Sequence, residues 1–432
     1  MVQIFNTANN NLDKIKSVIH QLGAEAITDV IRDVKEIITS VKKEGDKAIL
    51  AYTNKFDHTN AFSISELKVS TQGIEEAYNR CSEDLVTSLE IAAKRIESYH
   101  KKQLPQNFDL VDEIGVRLGN IWQPIQNIGL YVPGGKASYP STVLMNSIPA
   151  RVAGVKNMVM VVPAPYGKLS DAVLAAAKIC GITEIYKIGG AQAIAALALG
   201  GNSIPIVDKI VGPGNAYVAA AKRELSNIVG IDMIAGPSEI LVVADKSINP
   251  SWIAADLLSQ AEHDENAQAI LITNDASYAN HVINEVEQHL SALGRIDIAK
   301  KSWTNKSVII IDNDFKNTAN LINYIAPEHL ELASDEAQSL LPEIYNAGAI
   351  FLGNYTPEAI GDYIAGPSHV LPTSGTARFA SGLSVYDFLR RISLISCDKE
   401  SFLHLAEHTA CLADAEGLEA HALSVRIRTN KL

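Results

Sequence analysis

The 432-residue chain carries 37 Lys and Arg against 49 Asp and Glu, a net charge of −12. No basic tract accumulates, which argues against a nucleic-acid or anionic-membrane partner. Its 47% hydrophobic and 20% charged residues suit a soluble globular protein with no membrane-spanning apolar run, and the length calls for two or more lobes. The opening Met1-Val2-Gln3-Ile4-Phe5-Asn6 lacks the layout of a secretion signal, and Cys81, Cys180, Cys397 and Cys411 form no pairing or zinc-knuckle motif. A reducing, cytoplasmic location is expected.

In chain order, Leu12 to Leu22 is a short amphipathic segment ending at Gly23. Ala24 to Phe56 and Gln72 to Tyr99 each read as one long helix, without a chemical motif. Gly115 to Trp122 alternates as a half-exposed strand does. From Ile128 the rhythm changes. Strands at 128–132, 157–163, 184–188 and 209–211 alternate with helices at 141–155, 171–179, 191–199 and after Gly214-Asn215. A second alternating set runs from Ile240 to Leu352: strands at 240–244, 269–273, 307–311 and 349–352, helices after Asn249-Pro250, at 280–293 and at 318–325. Strands interleaved with helices of about ten residues are βαβ units on a parallel sheet. The fold class is therefore α/β, with two Rossmann-like doubly wound lobes carrying parallel sheets. Residues 1–125 are expected to be a helical segment contributing to the first lobe, 126–238 the first lobe, 239–381 the second, and 382–432 a helical tail. A tail without a core of its own must pack on its own body or on a partner subunit.

The glycine-rich turn Gly129 to Lys136 resembles a phosphate cradle, but Gly135 occupies the lysine position of a P-loop. Gly212-Pro213-Gly214-Asn215-Ala216-Tyr217 misses the dinucleotide fingerprint because Tyr217 stands where the third glycine belongs. Such loops are commonly plain βα turns. Three of them nevertheless close strands of one lobe, at 132–135, 189–190 and 212–214, where a nucleotide could sit with a non-standard grip. In the second lobe Gln260 and His263, three residues apart near a helix end, can converge on one atom. Glu328 and His329 follow Pro327; side by side, they suit two separate jobs better than one shared ligand, although Glu-His pairs are common on solvated loops. Asp362 and His369 lie in a loop-rich stretch from Tyr355 to Ser374, and Glu416 and His421 in the tail. His404 and His408, at i and i+4, are a respectable metal clamp by spacing alone. Eight of the eleven histidines follow residue 260. A Gln/His/Asp/His set without thiolates suits an exchangeable divalent ion such as Zn²⁺.

Taken together, Tyr131-Val132-Pro133-Gly134-Gly135, Gly189-Gly190-Ala191-Gln192-Ala193-Ile194-Ala195, Gly212-Pro213-Gly214-Asn215, Ala235-Gly236-Pro237-Ser238-Glu239, Leu258-Ser259-Gln260-Ala261-Glu262-His263, Ala326-Pro327-Glu328-His329-Leu330-Glu331 and the run from Gly361-Asp362-Tyr363 to Ala365-Gly366-Pro367-Ser368-His369-Val370-Leu371-Pro372-Thr373 resemble the histidinol dehydrogenase family over essentially the whole chain. The resemblance implies oxidation of L-histidinol to L-histidine through L-histidinaldehyde, with two NAD⁺ as co-substrate and one Zn²⁺ per subunit. It implies that Gln260, His263, Asp362 and His421 hold the zinc, His421 coming from the other subunit of a homodimer in which the terminal segments pack. It further implies that Glu328 and His329 are the acid–base pair, that Ser238, His369 and Glu416 join His329 and the metal ligands in contacting substrate, and that Tyr131, Gln192 and Asn215 hold NAD⁺. His404 and His408 match no functional position of that family and revert to surface residues.

Overall fold

The computed structural model describes residues 2–9, 12–23, 30–134, 139–234, 236–313 and 315–429. Residues 24–29 of the expected first long helix, Gly135 and Lys136 of the glycine-rich turn, and Ala235 of the loop between the lobes lie outside them.

Fourteen strands in the described residues form three sheets. In chain order they are β1 (Gln3–Asn6), β2 (Phe108–Val111), β3 (Arg117–Pro124), β4 (Asn127–Tyr131), β5 (Asn157–Val161), β6 (Glu184–Tyr186), β7 (Lys209–Val211) and β8 (Gly230–Ile231). They continue with β9 (Glu239–Val243), β10 (Gln268–Thr273), β11 (Val308–Ile311), β12 (His329–Leu332), β13 (Ala349–Leu352) and β14 (Leu389–Ser396). The first large sheet has the order β6-β5-β4-β7-β8 and the second β1-β11-β10-β9-β12-β13, both parallel throughout. Counted from β4 and from β9, with β1 left aside as an added edge strand of the second sheet, both read 3-2-1-4-5, the doubly wound order.

Period-2 alternation sends residues to opposite faces of each sheet, so a parallel sheet needs cover on both sides. In the first lobe Ile128 and Leu130 face one core, completed by helices 71–80, 83–101, 140–153 and 171–180. Tyr131, Val159 and Val161 face another, completed by helices 31–44, 46–57, 190–199 and 216–225. Side chains such as Leu144, Met145 and Ile148 are fully buried, and each contributes about 1.5–3 kcal/mol by leaving water. The second sheet is enclosed in the same way, with Ile240 and Val242 on one face and Leu241 and Val243 on the other.

Four expectations change. The expected helix 24–56 is two helices, 31–44 and 46–57, because the chain turns at Gly45 (φ +54°). The expected helix 72–99 is also two, 71–80 and 83–101. Cys81 and Ser82 are extended, and Ser82 caps the second helix by accepting from Leu85 N. Residues 2–23 do not join the first lobe as the 1–125 segment was expected to do. β1 pairs with β11, and helix 12–23 packs Ile15 and Ile19 into the second lobe's core. Finally, the tail is not wholly helical, since Leu389–Ser396 forms β14, antiparallel to β3. Beyond it, helices 399–415 and 419–426 pack on each other around Ala410, Ala413 and Ala422 and leave Leu403, Leu412 and Leu423 exposed, as is Ile427 in the turn that follows.

Gly212 shows how tightly the β7 end is built. Its φ is +112°, and a Cβ there would stand 2.0 Å from the carbonyl oxygen of Tyr131. Gly212→Ala should therefore cost about 2 kcal/mol or more. The chemical-denaturation midpoint would fall accordingly, and an unchanged midpoint would contradict this reading of the turn.

Candidate active site between the two sheets

A cavity of about 1010 Å³ lies between the lobes, at the upper end of ordinary small-molecule sites. The first lobe contributes the carboxyl ends of its strands: Tyr131, Pro133 and Gly134 after β4, Gly189 and Gly190 after β6, and Gly212 to Asn215 after β7. Helices 190–199 and 216–225 begin there, so backbone N–H groups at their N-termini face the space. The second lobe contributes the opposite edge. Ser238 precedes β9, Gln260 and His263 lie at and just beyond the end of helix 250–261, and Glu328 and His329 stand at the amino end of β12. Gln260 and His263 do not share a continuous helix face as the sequence suggested. The helix ends at Ala261, and a turn closed by His263 N donating to Gln260 O (3.1 Å) brings the imidazole to the cavity. Asp362 arrives on the short helix 358–363. Gly361 lets that helix approach β13, for a Cβ there would meet the Phe351 ring at 2.4 Å.

His329 is 3% exposed and sits among carboxylates. Nδ1 lies 3.0 Å from the Glu239 carbonyl oxygen and 3.0 Å from Gln260 Nε2. Nε2 lies 3.4 Å from Asp362 Oδ1 and 3.8 Å from Glu358 Oε1, and Glu328 Oε2 stands 3.7 Å from Nδ1. Burial alone would lower the imidazole's pKa, but Glu328, Asp362 and Glu358 outweigh it and hold it up at about 10. Burial pushes the Glu328 carboxyl up to about 8, and those of Glu358 and Glu239 to about 7. Asp362 goes the other way, because contact with His329 outweighs its burial. His263 and His369 are lowered by burial and remain neutral donors. His369 is fixed through Nδ1, 2.9 Å from the Asp362 carbonyl oxygen.

Two sets of side chains could hold a cation. Ligand atoms of His329, Glu358 and Asp362 lie within 4.8 Å of one another, but Glu358 is 2% exposed, accepts from Ser259 Oγ (2.9 Å), and is absent from the cavity wall. Gln260, His263 and Asp362 all line the cavity, and Gln260 Oε1 is buried without a hydrogen-bond partner. An unpartnered buried carbonyl oxygen beside a neutral imidazole and an ionised carboxylate fits a borderline divalent ion such as Zn²⁺.

The family model of histidinol dehydrogenase matches residues 21–429. The chain is 53% identical over 408 residues to histidinol dehydrogenase 1 of Trichormus variabilis, and 52% identical over 406 residues to histidinol dehydrogenase of Brucella suis. Each match spans 94% of both proteins. The chain belongs to the histidinol dehydrogenase family. A crystal structure of histidinol dehydrogenase from Elizabethkingia anophelis, 38% identical, matches with a TM-score of 0.93 over 99% of this chain and 98% of that one. The two-lobed α/β architecture is thus that of histidinol dehydrogenases, and the protein is a dehydrogenase of this family.

Of the residues that the histidinol dehydrogenase resemblance implied, ten line this one cavity: Tyr131, Gln192 and Asn215 from the first lobe, and Ser238, Gln260, His263, Glu328, His329, Asp362 and His369 from the second. Tyr131 OH accepts from Gly190 N (3.1 Å), and Gln192 Oε1 is buried without a partner. Asn215 Oδ1 caps helix 216–225 by accepting from Tyr217 N and Val218 N, which leaves its amide nitrogen for a ligand. Glu416 and His421 are exposed in the tail and are not on the cavity wall. Within one chain, neither joins the site. Sequence reasoning missed Glu239, Glu331 and Glu358. Glu358 was legible in principle, since it stands four residues before Asp362 and so shares its helix face. Glu331 is two residues beyond His329 on β12, on the same side, and accepts from Glu358 N (2.6 Å).

The imidazole's raised proton affinity depends on named carboxylates and can be measured. In metal-free protein, ¹⁵N NMR should find His329 still protonated at neutral pH. Glu358→Gln removes one of the opposing charges and should move its titration to lower pH. A titration unmoved by Glu358→Gln would disprove the contact's role.

Proposed function

We propose that the protein oxidises L-histidinol to L-histidine through L-histidinaldehyde, consuming water and two NAD⁺, with one Zn²⁺ per subunit, in the cytoplasm. The observation that carries this reading is that nucleotide-type glycine turns and the acid–imidazole cluster face each other across one cavity. Tyr131, Gln192, Asn215 and the helix N-termini of the first lobe would bind NAD⁺. Gln260, His263 and Asp362 would hold the zinc, with His421 of a second copy of the chain as fourth ligand. Bound there, the ion would supply a Lewis acid that orients the substrate and favours loss of its hydroxyl proton. Ser238, His369 and Glu416 would contact the substrate's amine and imidazole.

His329 would take the hydroxyl proton as the first hydride leaves. Once Asp362 commits its charge to a ligand, less negative charge faces His329 Nε2, and the ring can exist as a free base. Glu328, with a raised proton affinity and an anchor on Glu239 N (2.9 Å), would then draw a proton from water as the water's oxygen bonds to the aldehyde carbon. The resulting gem-diol loses the second hydride and becomes the carboxylate. A thiol route finds no support: Cys81 is half-buried, Cys180 is buried with its pKa pushed up to about 11, Cys397 and Cys411 are exposed, and none of them lines the cavity. A homodimer is supported by the exposed apolar side chains of the tail and of β14 (Ile392, Leu394, Ile395) and by Glu416 and His421 lying off the site in their own chain. A cytoplasmic location is supported by the four free thiols.

NADH absorbance with L-histidinol tests the whole reading. Zinc-loaded protein should release two NADH per substrate, and chelation should abolish the signal until Zn²⁺ is restored. Glu328→Gln should slow the second oxidation by about 10²–10⁴-fold and leave aldehyde behind the first. One NADH from the unaltered protein would defeat the four-electron reading, and loss of the first oxidation alone would reverse the roles of Glu328 and His329.

A further inference from the structure

In a doubly wound nucleotide-binding lobe, an acidic side chain after the second strand accepts the adenosine ribose 2′-hydroxyl. Here the second strand is β5, and Val162-Pro163-Ala164-Pro165-Tyr166 follows it with no acid. The chain fills that place from another element. Asp57, the last residue of helix 46–57, hydrogen-bonds the backbone of Ala164 and lines the cavity beside Ile37, Phe56, Pro163 and Pro165. It is 8% exposed, its carboxyl is raised by burial, and its Oδ2 has no hydrogen-bond partner. A carboxylate left this way is costly unless a ligand supplies a donor. The surrounding proline, isoleucine and phenylalanine side chains offer an apolar wall of the kind a nucleoside needs.

We infer that Asp57 accepts the 2′-hydroxyl of the adenosine ribose of NAD⁺ and thereby excludes NADP⁺, whose 2′-phosphate would be driven against its carboxylate. The inference rests on the NAD⁺ reading above and adds the residue that sets the choice of dinucleotide. Among the described residues lining the cavity, the lysine and arginine side chains are engaged elsewhere. Lys222 Nζ is tied to Asp232 and to Gly212 O (3.0 Å), and Arg295 donates to His263 O (3.3 Å). The Lys222 charge is thereby neutralised by Asp232. The inference also gives the N-terminal helices a task in binding, beyond covering the sheet.

Calorimetric binding to the full chain without histidinol tests this. The unaltered protein should bind NAD⁺ more tightly than NADP⁺ or adenosine-2′-deoxy-NAD⁺ by about tenfold or more, the value of a hydrogen bond to a charged acceptor. Asp57→Asn, checked for native circular dichroism, should weaken NAD⁺ binding by a similar factor and close the gap to NADP⁺. Equal affinity of the unaltered protein for NAD⁺ and the 2′-deoxy analogue overturns the inference, whether or not the variant folds. So does a folded Asp57→Asn that keeps the full preference. In either case the NAD⁺ reading itself survives. If the unaltered protein binds neither dinucleotide, both readings fall together.

Discussion

The interaction on which the second lobe's chemistry depends is the contact of a buried imidazole with the carboxylates around it. His329, Glu328, Glu358 and Glu239 are all nearly inaccessible to water, and Asp362 is largely so. Placing so many acids in a low-dielectric interior is unfavourable unless a cation compensates them. His329 is that cation in the chain alone. Its ring is oriented by Nδ1–H donating to Glu239 O on one side and by Asp362 and Glu358 on the other. The same geometry places Gln260 and Asp362, two of the proposed zinc ligands, against the proposed base. Metal binding and proton affinity are therefore coupled through shared contacts.

The two lobes have the same strand order and use opposite edges. The first presents the carboxyl ends of β4, β6 and β7, as the doubly wound topology leads one to expect. The second presents the amino ends of β9 and β12, together with the helix end and loops that lie on that edge. Facing unlike edges encloses a single cavity in which small backbone turns oppose ionisable side chains. The segments outside the lobes are tied into this plan. β1 extends the second sheet, helix 46–57 brings Asp57 to the first lobe's side of the cavity, and β14 pairs with β3 before the chain runs into the tail.

Much of this was legible in the sequence, because apolar runs of strand length alternate with helical periods from residue 128 to 352. The strands at 209–211 and 349–352 and the helix at 318–325 match residue for residue. What escaped has physical reasons. β12 reads as His-Leu-Glu-Leu directly after Glu328, and buried strands rarely carry ionisable residues; only the site's charge compensation makes it possible. β1 is too short and too far in sequence from β11 to reveal the pairing. β14 is exposed along nearly its whole length in the single chain, so its alternation carries no core-facing signal. The breaks at Gly45 and Cys81-Ser82 are local backbone choices inside otherwise uniform helical patterns. Within the site, the cavity-lining residues were found through ordered motifs. Asp57 owes its position to tertiary packing that no local spacing encodes, whereas Glu331 and Glu358 share a face with His329 and Asp362 by local spacing, and only their burial marks them as part of the cluster.

Anomalous scattering from crystals of the zinc-loaded protein tests most directly the claim that the cavity holds a metal completed by a second copy of the chain. The proposed site requires one peak per chain, bounded by Gln260, His263 and Asp362 and closed by His421 from the other copy. A peak among His329, Glu358 and Asp362, or one completed within a single chain, would contradict it.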